Sequence, residues 1–311
     1  MSKKRSRLRS LSLFADLPTS ARPRRNRKTL GIPAGLDLDR YEVGEDGRLQ
    51  EVVGPWAREK HAVVEKYVGY TRGVRRTWIQ RGPAGATYVD LFSGPGRARI
   101  RGTEIVLDGS PLVAWNKRGY GDFTNIYVAD ASAELVQHCK ERLELAGAPV
   151  DCFVGEANKT VDKVIEALDR RSYHFAFLDP YNLGNLSFDV IRKLASLKSV
   201  DILAHVSAQD LNRNLRLYIE EHGSSLDQFV PGWRERINVN LPDPAVRESI
   251  FGHWKSLLQT IDMRVADAVP LVTGSRGQPL YWLAFASRHR LAHKFWKEIQ
   301  PPAGPIQDSF F

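Results

Sequence analysis

Between residues 87 and 221 the chain alternates five times between a short apolar run and a stretch of helical spacing, and this rhythm leaves few folds open. The runs fall near 87–92 and at Phe123–Asp130, Val150–Val154, Tyr173–Leu178 and Val200–Val206. Each is short for a helix and rich in strand formers, so each reads as a buried strand. Helical spacing follows from Ser110, near 132–146, near 160–171, near 187–197 and near 210–221. Ser110 before Pro111 reads as an N-cap with proline at the first helical position, and Gly147 reads as a helix stop. Five such alternations imply a parallel sheet with right-handed crossovers and helices on both faces. After an irregular segment, 222–243, come a helix near 244–262, two apolar runs at Val269–Thr273 and Leu280–Ala286 joined by Gly274–Gly277, and a helix near 289–299. The expectation is α/β: a mostly parallel seven-stranded sheet closed by a C-terminal antiparallel hairpin.

Upstream, residues 38–53 read as a small hairpin turning at Gly44-Glu45-Asp46-Gly47. From Pro55 to Arg81, Trp56, Val63, Tyr67, Tyr70, Val74 and Trp78 recur at helical spacing, an amphipathic helix with both tryptophans in the core. Residues 1–30 hold ten Lys/Arg and one acid, Asp16. Taking these from totals of 45 and 36 leaves a neutral body, 35 basic against 35 acidic side chains. Residues 1–36 therefore read as a basic, disordered arm, suited either to nonspecific contact with phosphate backbones or to solubility. Residues 37–82 then form a hairpin and helix packed on a domain spanning 83–300, with a tail at 301–311. No apolar run is long enough to cross a membrane. Cys139 and Cys152 make neither a disulfide framework nor a metal site, which fits a reducing cytoplasm. His289 and His293 stand four apart without a third ligand nearby, and no metal is expected.

In open sheets of this kind ligands sit beyond the carboxyl ends of the strands, beside strand one. Strand one ends at Asp90 and runs into Phe92-Ser93-Gly94-Pro95-Gly96-Arg97; strand two ends at Asp130, strand three before Glu156 and Asn158, strand four at Asp179-Pro180-Tyr181. Glycines after a strand let backbone approach a ligand. Asp130 lies 34 residues past Gly96, and Arg99 stands where a dinucleotide fingerprint has its third glycine, so a dinucleotide site is disfavoured. The intervening residues, 97–109, read as a polar loop. The set fits S-adenosylmethionine (SAM) instead: Asp130 on the ribose hydroxyls, Glu156 or Asn158 on the adenine amino group, Asp90 toward the ammonium of the methionine moiety, with Phe92, Gly94 and Gly96 forming the turn. Asp179 and the Pro180 carbonyl are placed to accept hydrogen bonds from a target amino group, with Tyr181 stacking on its ring. Asn182 and Arg213 are substrate candidates. Asp179-Pro180-Tyr181 looks like the D-P-P-[YF] motif of amino-directed nucleic-acid methyltransferases with one proline missing.

These segments together resemble the three-Cys-motif partner (TcmP) proteins. The likeness lies in Trp56…Lys60-His61…Glu65-Lys66-Tyr67, in Asp90–Arg97, in Gly109-Ser110-Pro111-Leu112, in Phe177–Tyr181, in Leu211-Asn212-Arg213, and in Pro279–His289 followed by Phe295-Trp296. It runs from about 55 to 300, with Asn182-Leu183 a departure from the family pattern. The resemblance implies a Rossmann-like class I methyltransferase fold, SAM as cofactor, and a partner protein bearing a three-cysteine, iron–sulfur-type motif. Three readings stand at this point: a SAM-dependent methyltransferase acting on nucleic acid or on a partner-bound substrate, a non-catalytic SAM-binding or partner-docking adaptor, and a nucleic-acid-binding module led by the arm.

Overall fold

A computed structural model describes residues 36–37, 39–81, 85–119, 122–267, 269, 271–274, 277–300 and 304–305. The basic arm at 1–35 and nearly all of the tail after Gln300 lie outside the described residues. The expected alternation is present as β3 (Ala86–Asp90), β6 (Asn125–Asp130), β7 (Val150–Val154), β8 (Tyr173–Leu178) and β9 (Val200–Ser207), all parallel. With β11 (Leu271–Thr273) and β12 (Pro279–Ser287), the order across the sheet is β11-β12-β9-β8-β3-β6-β7. β12 runs antiparallel to β9 and to β11. The sheet is thus mixed. It also has two short strands beyond the expected seven: β10 (Arg264–Val265) on β12 and β13 (Gly304–Pro305) on β11.

Each face of the sheet is covered, as strands apolar on both sides require. One face carries α1 (Ala57–Tyr70), α3 (Ser110–Asn116), α4 (Ala133–Leu145) and α11 (Arg290–Ile299) over Tyr88, Phe175 and Phe285. The other carries α5 (Ala157–Ala167), α6 (Phe188–Leu194), α7 (Ala208–Glu220) and α10 (Asp243–Thr260) over Val89, Ala176 and Ile202. The expected helix at 55–81 is two helices, because Thr71 leaves helical geometry between α1 and α2 (Arg72–Gln80). The segment 222–243 contains two short helices, α8 (Ser225–Phe229) and α9 (Trp233–Arg236). Gly109, not Ser110, caps α3; Ser110 is helical and turns its hydroxyl toward Asp90.

The larger correction is a second sheet. The stretch read as a polar loop forms β4 (Arg97–Ile100) and β5 (Val106–Asp108), an antiparallel pair. β4 also pairs in parallel with β2 (Leu49–Val53), which carries β1 (Tyr41–Val43) on its far side. This four-stranded roof stands over the carboxyl ends of β3 and β6. Arg142 of α4, 3% exposed in its side chain, fixes it there by bonding Asp46 and the carbonyls of Leu49 and Pro95. Burial of an unpaired guanidinium would be costly, and these four acceptors offset it. Among the described residues no helix is long and apolar enough to cross a membrane.

Candidate functional site

A cleft of about 1210 Å³ opens between the roof and the carboxyl ends of β3, β6, β7, β8 and β9. Of the residues singled out in the sequence, Phe92, Gly94, Gly96, Asp130, Glu156, Asn158, Asp179, Pro180, Tyr181, Asn182 and Arg213 all line it. Asp90 does not. It is wholly buried, and its carboxyl accepts from the Ser110 hydroxyl (2.5 Å), the Tyr88 hydroxyl (3.2 Å) and the Phe92 amide (3.0 Å). Burial pushes it up to about 7. Asp90 is therefore a girder for the turn, corrected from a ligand-facing carboxylate; a strand-terminal acid pointing inward has the same sequence signature as one pointing out.

The two glycines of the turn differ in purpose. Both have positive φ, +51° at Gly94 and +77° at Gly96. A Cβ on Gly94 would face open cleft, its nearest neighbour being a Glu51 oxygen at 3.9 Å. A Cβ on Gly96 would lie 3.1 Å from Cys139 Sγ, so this glycine serves helix–turn packing. Asp130 joins the turn to the next helix: its Oδ2 accepts from the Gly94 amide (3.0 Å) and its Oδ1 from the Ser132 amide (2.9 Å). Burial raises its pKa, and those two amides counter part of the rise. A carboxylate has about four acceptor positions, so two remain for a ligand's hydroxyls. Glu156 caps α5 beside Gly155 (φ +140°) and pairs with Lys159 at 2.9 Å; Asn158 is exposed one residue into the helix.

The β8 end is built differently. Both oxygens of Asp179 accept from Lys60 Nζ of α1 at 2.7 Å. His205 Nδ1 of β9 lies 3.3 Å from Asp179 Oδ1, off the line of a hydrogen bond. Tyr281 of β12, diagonal to His205 across the β9–β12 ladder, packs its ring 4.7 Å from the imidazole. Lys60 Nζ sits 5.8 Å from the same tyrosine ring. Burial raises the Asp179 pKa, but the Lys60 charge and its hydrogen bonds outweigh this and hold the carboxyl below its ordinary value. Burial, reinforced by the Lys60 charge, drops His205 to about 3 and neighbouring His61 to about 4, so both imidazoles are neutral at pH 7. Asp179 thus lies in the cleft already paired with Lys60, with two of its roughly four acceptor positions used. Lys60, His61, His205 and Tyr281 also line the cleft, and sequence reasoning did not select them as site residues. Lys60-His61 and Tyr281 lay within the segments that carry the family resemblance, which named no role for them; His205 had no signal.

At the mouth, Asn182 caps the 3-10 turn Leu183–Asn185, and the Tyr181 ring is 68% exposed with the Arg40 guanidinium 4.1 Å from its centroid. Trp56, expected in the core, is 36% exposed and lines the cleft. Among the described residues no group of three or more His, Cys, Asp or Glu could hold a metal ion.

No family model and no curated protein matches the chain. Among solved structures it is loosely similar to protein LPL1258 of Legionella pneumophila (10% identity, TM-score 0.44, covering 77% of this chain and 88% of that one). It is similar in the same degree to M. jannaschii TYW2 in complex with AdoMet (11%, 0.40, 82% and 88%) and to the O-methyltransferase from Bacillus cereus in complex with SAH (10%, 0.42, 75% and 81%). Likenesses this distant carry no functional argument, and the reading below rests on the strand order and the cleft.

Proposed function

We propose that the chain is a SAM-dependent methyltransferase of class I plan. The observation that carries this reading is the meeting of Gly94, Asp130, Glu156 and Asn158 on one side of a single cleft, with a preorganised polar cluster on the other. The sheet order supports it: five parallel strands, then a last long strand inserted antiparallel beside β9, is the seven-strand plan anticipated from the sequence. The residues fit the cofactor. Gly94 leaves room where a side chain would intrude, and Asp130 keeps acceptor capacity for vicinal hydroxyls. Glu156 and Asn158 would reach the base, and Phe92 would flank it. Bound there, SAM would supply a methyl group made electrophilic by its sulfonium.

The protein's own work is then positioning and exclusion of competing water. The cleft exceeds the usual span of small-molecule pockets, about 300–1,000 Å³, which leaves space for an acceptor beside Lys60, Asp179 and Tyr181. Asn182 and Arg213 line that half and are assigned to the acceptor. The likeness to three-Cys-motif partner proteins, with its implied iron–sulfur-type partner, belongs to this proposal and rests on sequence motifs alone. Calorimetry with SAM and with its demethylated product tests the cofactor site. Saturable binding is expected, weakened about 100-fold or more by Asp130→Ala, as loss of two hydrogen bonds to a carboxylate implies. Absence of binding to either ligand at millimolar concentration overturns the reading.

A further inference from the structure

We propose that the methyl acceptor of this site is a hydroxyl oxygen and that Lys60 is the catalytic residue that receives it. The inference rests on the methyltransferase reading and names the substrate class within it. The floor of the cleft beyond Asp179 holds two polar atoms with no hydrogen-bond partner among the described residues, His205 Nδ1 and the Tyr281 hydroxyl. Their residues are 8% and 1% exposed, and both line the cleft. Buried polar groups are nearly always satisfied, so two orphaned atoms on cleft-lining residues next to one ion pair leave hydrogen-bonding capacity beside Lys60. The Lys60–Asp179 pair lies beside them.

Lys60 offers three N–H donors. Two meet the Asp179 oxygens at 2.7 Å, which leaves one N–H of the ammonium for a ligand among the described residues. A donor at the reacting atom discriminates between acceptors. A neutral amine nitrogen has one lone pair; bonded to an ammonium, it has none left with which to attack. A hydroxyl oxygen has two, so it can accept from Lys60 with one and attack with the other. Transfer to an amine would also place a new cation beside the Lys60 charge. At about 4 Å and an effective dielectric near 20, that repulsion is on the order of 4 kcal/mol before Asp179 offsets part of it. For an oxygen acceptor, the ammonium instead stabilises the negative charge developing as the proton is lost.

The step balances without a further reagent. The acceptor oxygen forms the O–CH₃ bond, the C–S bond breaks with its pair kept by sulfur as a neutral thioether, and the hydroxyl proton passes to water in the open cleft. Asp179 holds Lys60 in place through both of its oxygens. His205 and Tyr281 take the remaining hydrogen bonds of the hydroxyl-bearing group.

The test incubates purified protein with methyl-labelled SAM and, separately, total RNA, total DNA and total protein from cells, and then identifies the linkage of the label by digestion and mass spectrometry. Label in O-methyl ethers is expected; label in N-methyl groups overturns the proposal. SAM binding without label in any fraction also overturns it while leaving the cofactor site standing, whereas failure to bind SAM brings down both readings. Lys60→Met should reduce transfer by about 100-fold or more while the affinity for the demethylated cofactor stays within about threefold. The double variant Lys60→Met/Asp179→Asn removes the lone buried charge and checks that lost transfer is not lost folding; transfer by either variant at the parental rate removes Lys60 from the chemistry.

Discussion

The two walls of the cleft are made of different material. On the β3–β6 side the site is mainly backbone and turn: amides of Gly94 and Ser132 set the Asp130 carboxylate, and a Cβ-free turn makes the space. On the β8–β9 side it is side chain against side chain, with Lys60, Asp179, His205 and Tyr281 drawn from four separate elements. The first wall is cheap to encode, since a strand, a turn and an acid suffice. The second needs partners from distant parts of the chain and commits an ion pair to the interior. Such a wall is tuned for one kind of chemistry, while the first offers a general cradle.

Removing Lys60 should break the contrast most sharply. Lys60→Met leaves Asp179 partly buried and unpaired and is expected to destabilise the fold by about 3 kcal/mol, measured by urea denaturation. Lys60→Met/Asp179→Asn should recover most of that loss. If the single variant is as stable as the parent, the second wall is not a prepaid ion pair.

The roof above the first wall gives a smaller effect with a defined sign. Arg142 holds Asp46 at about 2, below its ordinary value of 3.8. The folded value is the depressed one, so this stabilisation is complete above about pH 4 and drains away as pH falls toward 2. It amounts to about 2 kcal/mol. Arg142→Ala should flatten that part of the acid-denaturation curve, and an unchanged slope would detach the roof from this pair.

The smallest effect belongs at the seam between the walls. Arg40 bonds Glu51 at 2.9 Å and lies over the Tyr181 ring, with both ion-pair partners more than a quarter exposed. Arg40→Ala is expected to cost under about 1 kcal/mol of stability in the same urea measurement. A larger loss would mean that the two walls are coupled through this contact.

The same division explains what could be read from the sequence. The alternation that makes the central sheet is local, and it is enough to bring the strand ends at Asp130, Glu156 and Asp179 to one cleft. The direction of Asp90 was not legible, because a strand-terminal acid serves equally as a ligand group or as an inward brace. The Lys60–Asp179 pair was not legible either: its members lie 119 positions apart, on a helix and a strand end that meet only in the finished fold. The roof was hidden by polarity. Yet Arg97-Ala98-Arg99-Ile100 alternates half-buried and buried with period two, a strand signal masked by its two arginines.

The roof's own interior is slight. Its enclosed apolar residues are Tyr41, Leu49, Val52, Ala98 and Ile100, with Leu135 of α4 and Leu36 against the first two. A small sheet persists only with an apolar face packed on something, and this one leans on Leu135 and Arg142 of α4 in the domain beneath. The molecule is therefore unevenly insulated: its cradle sits under the part of the fold with the least hydrophobic ballast. Local opening tracks the density of buried apolar contacts, so amide exchange is expected to be faster in the roof, where a guest must pass, than along β8 and β9.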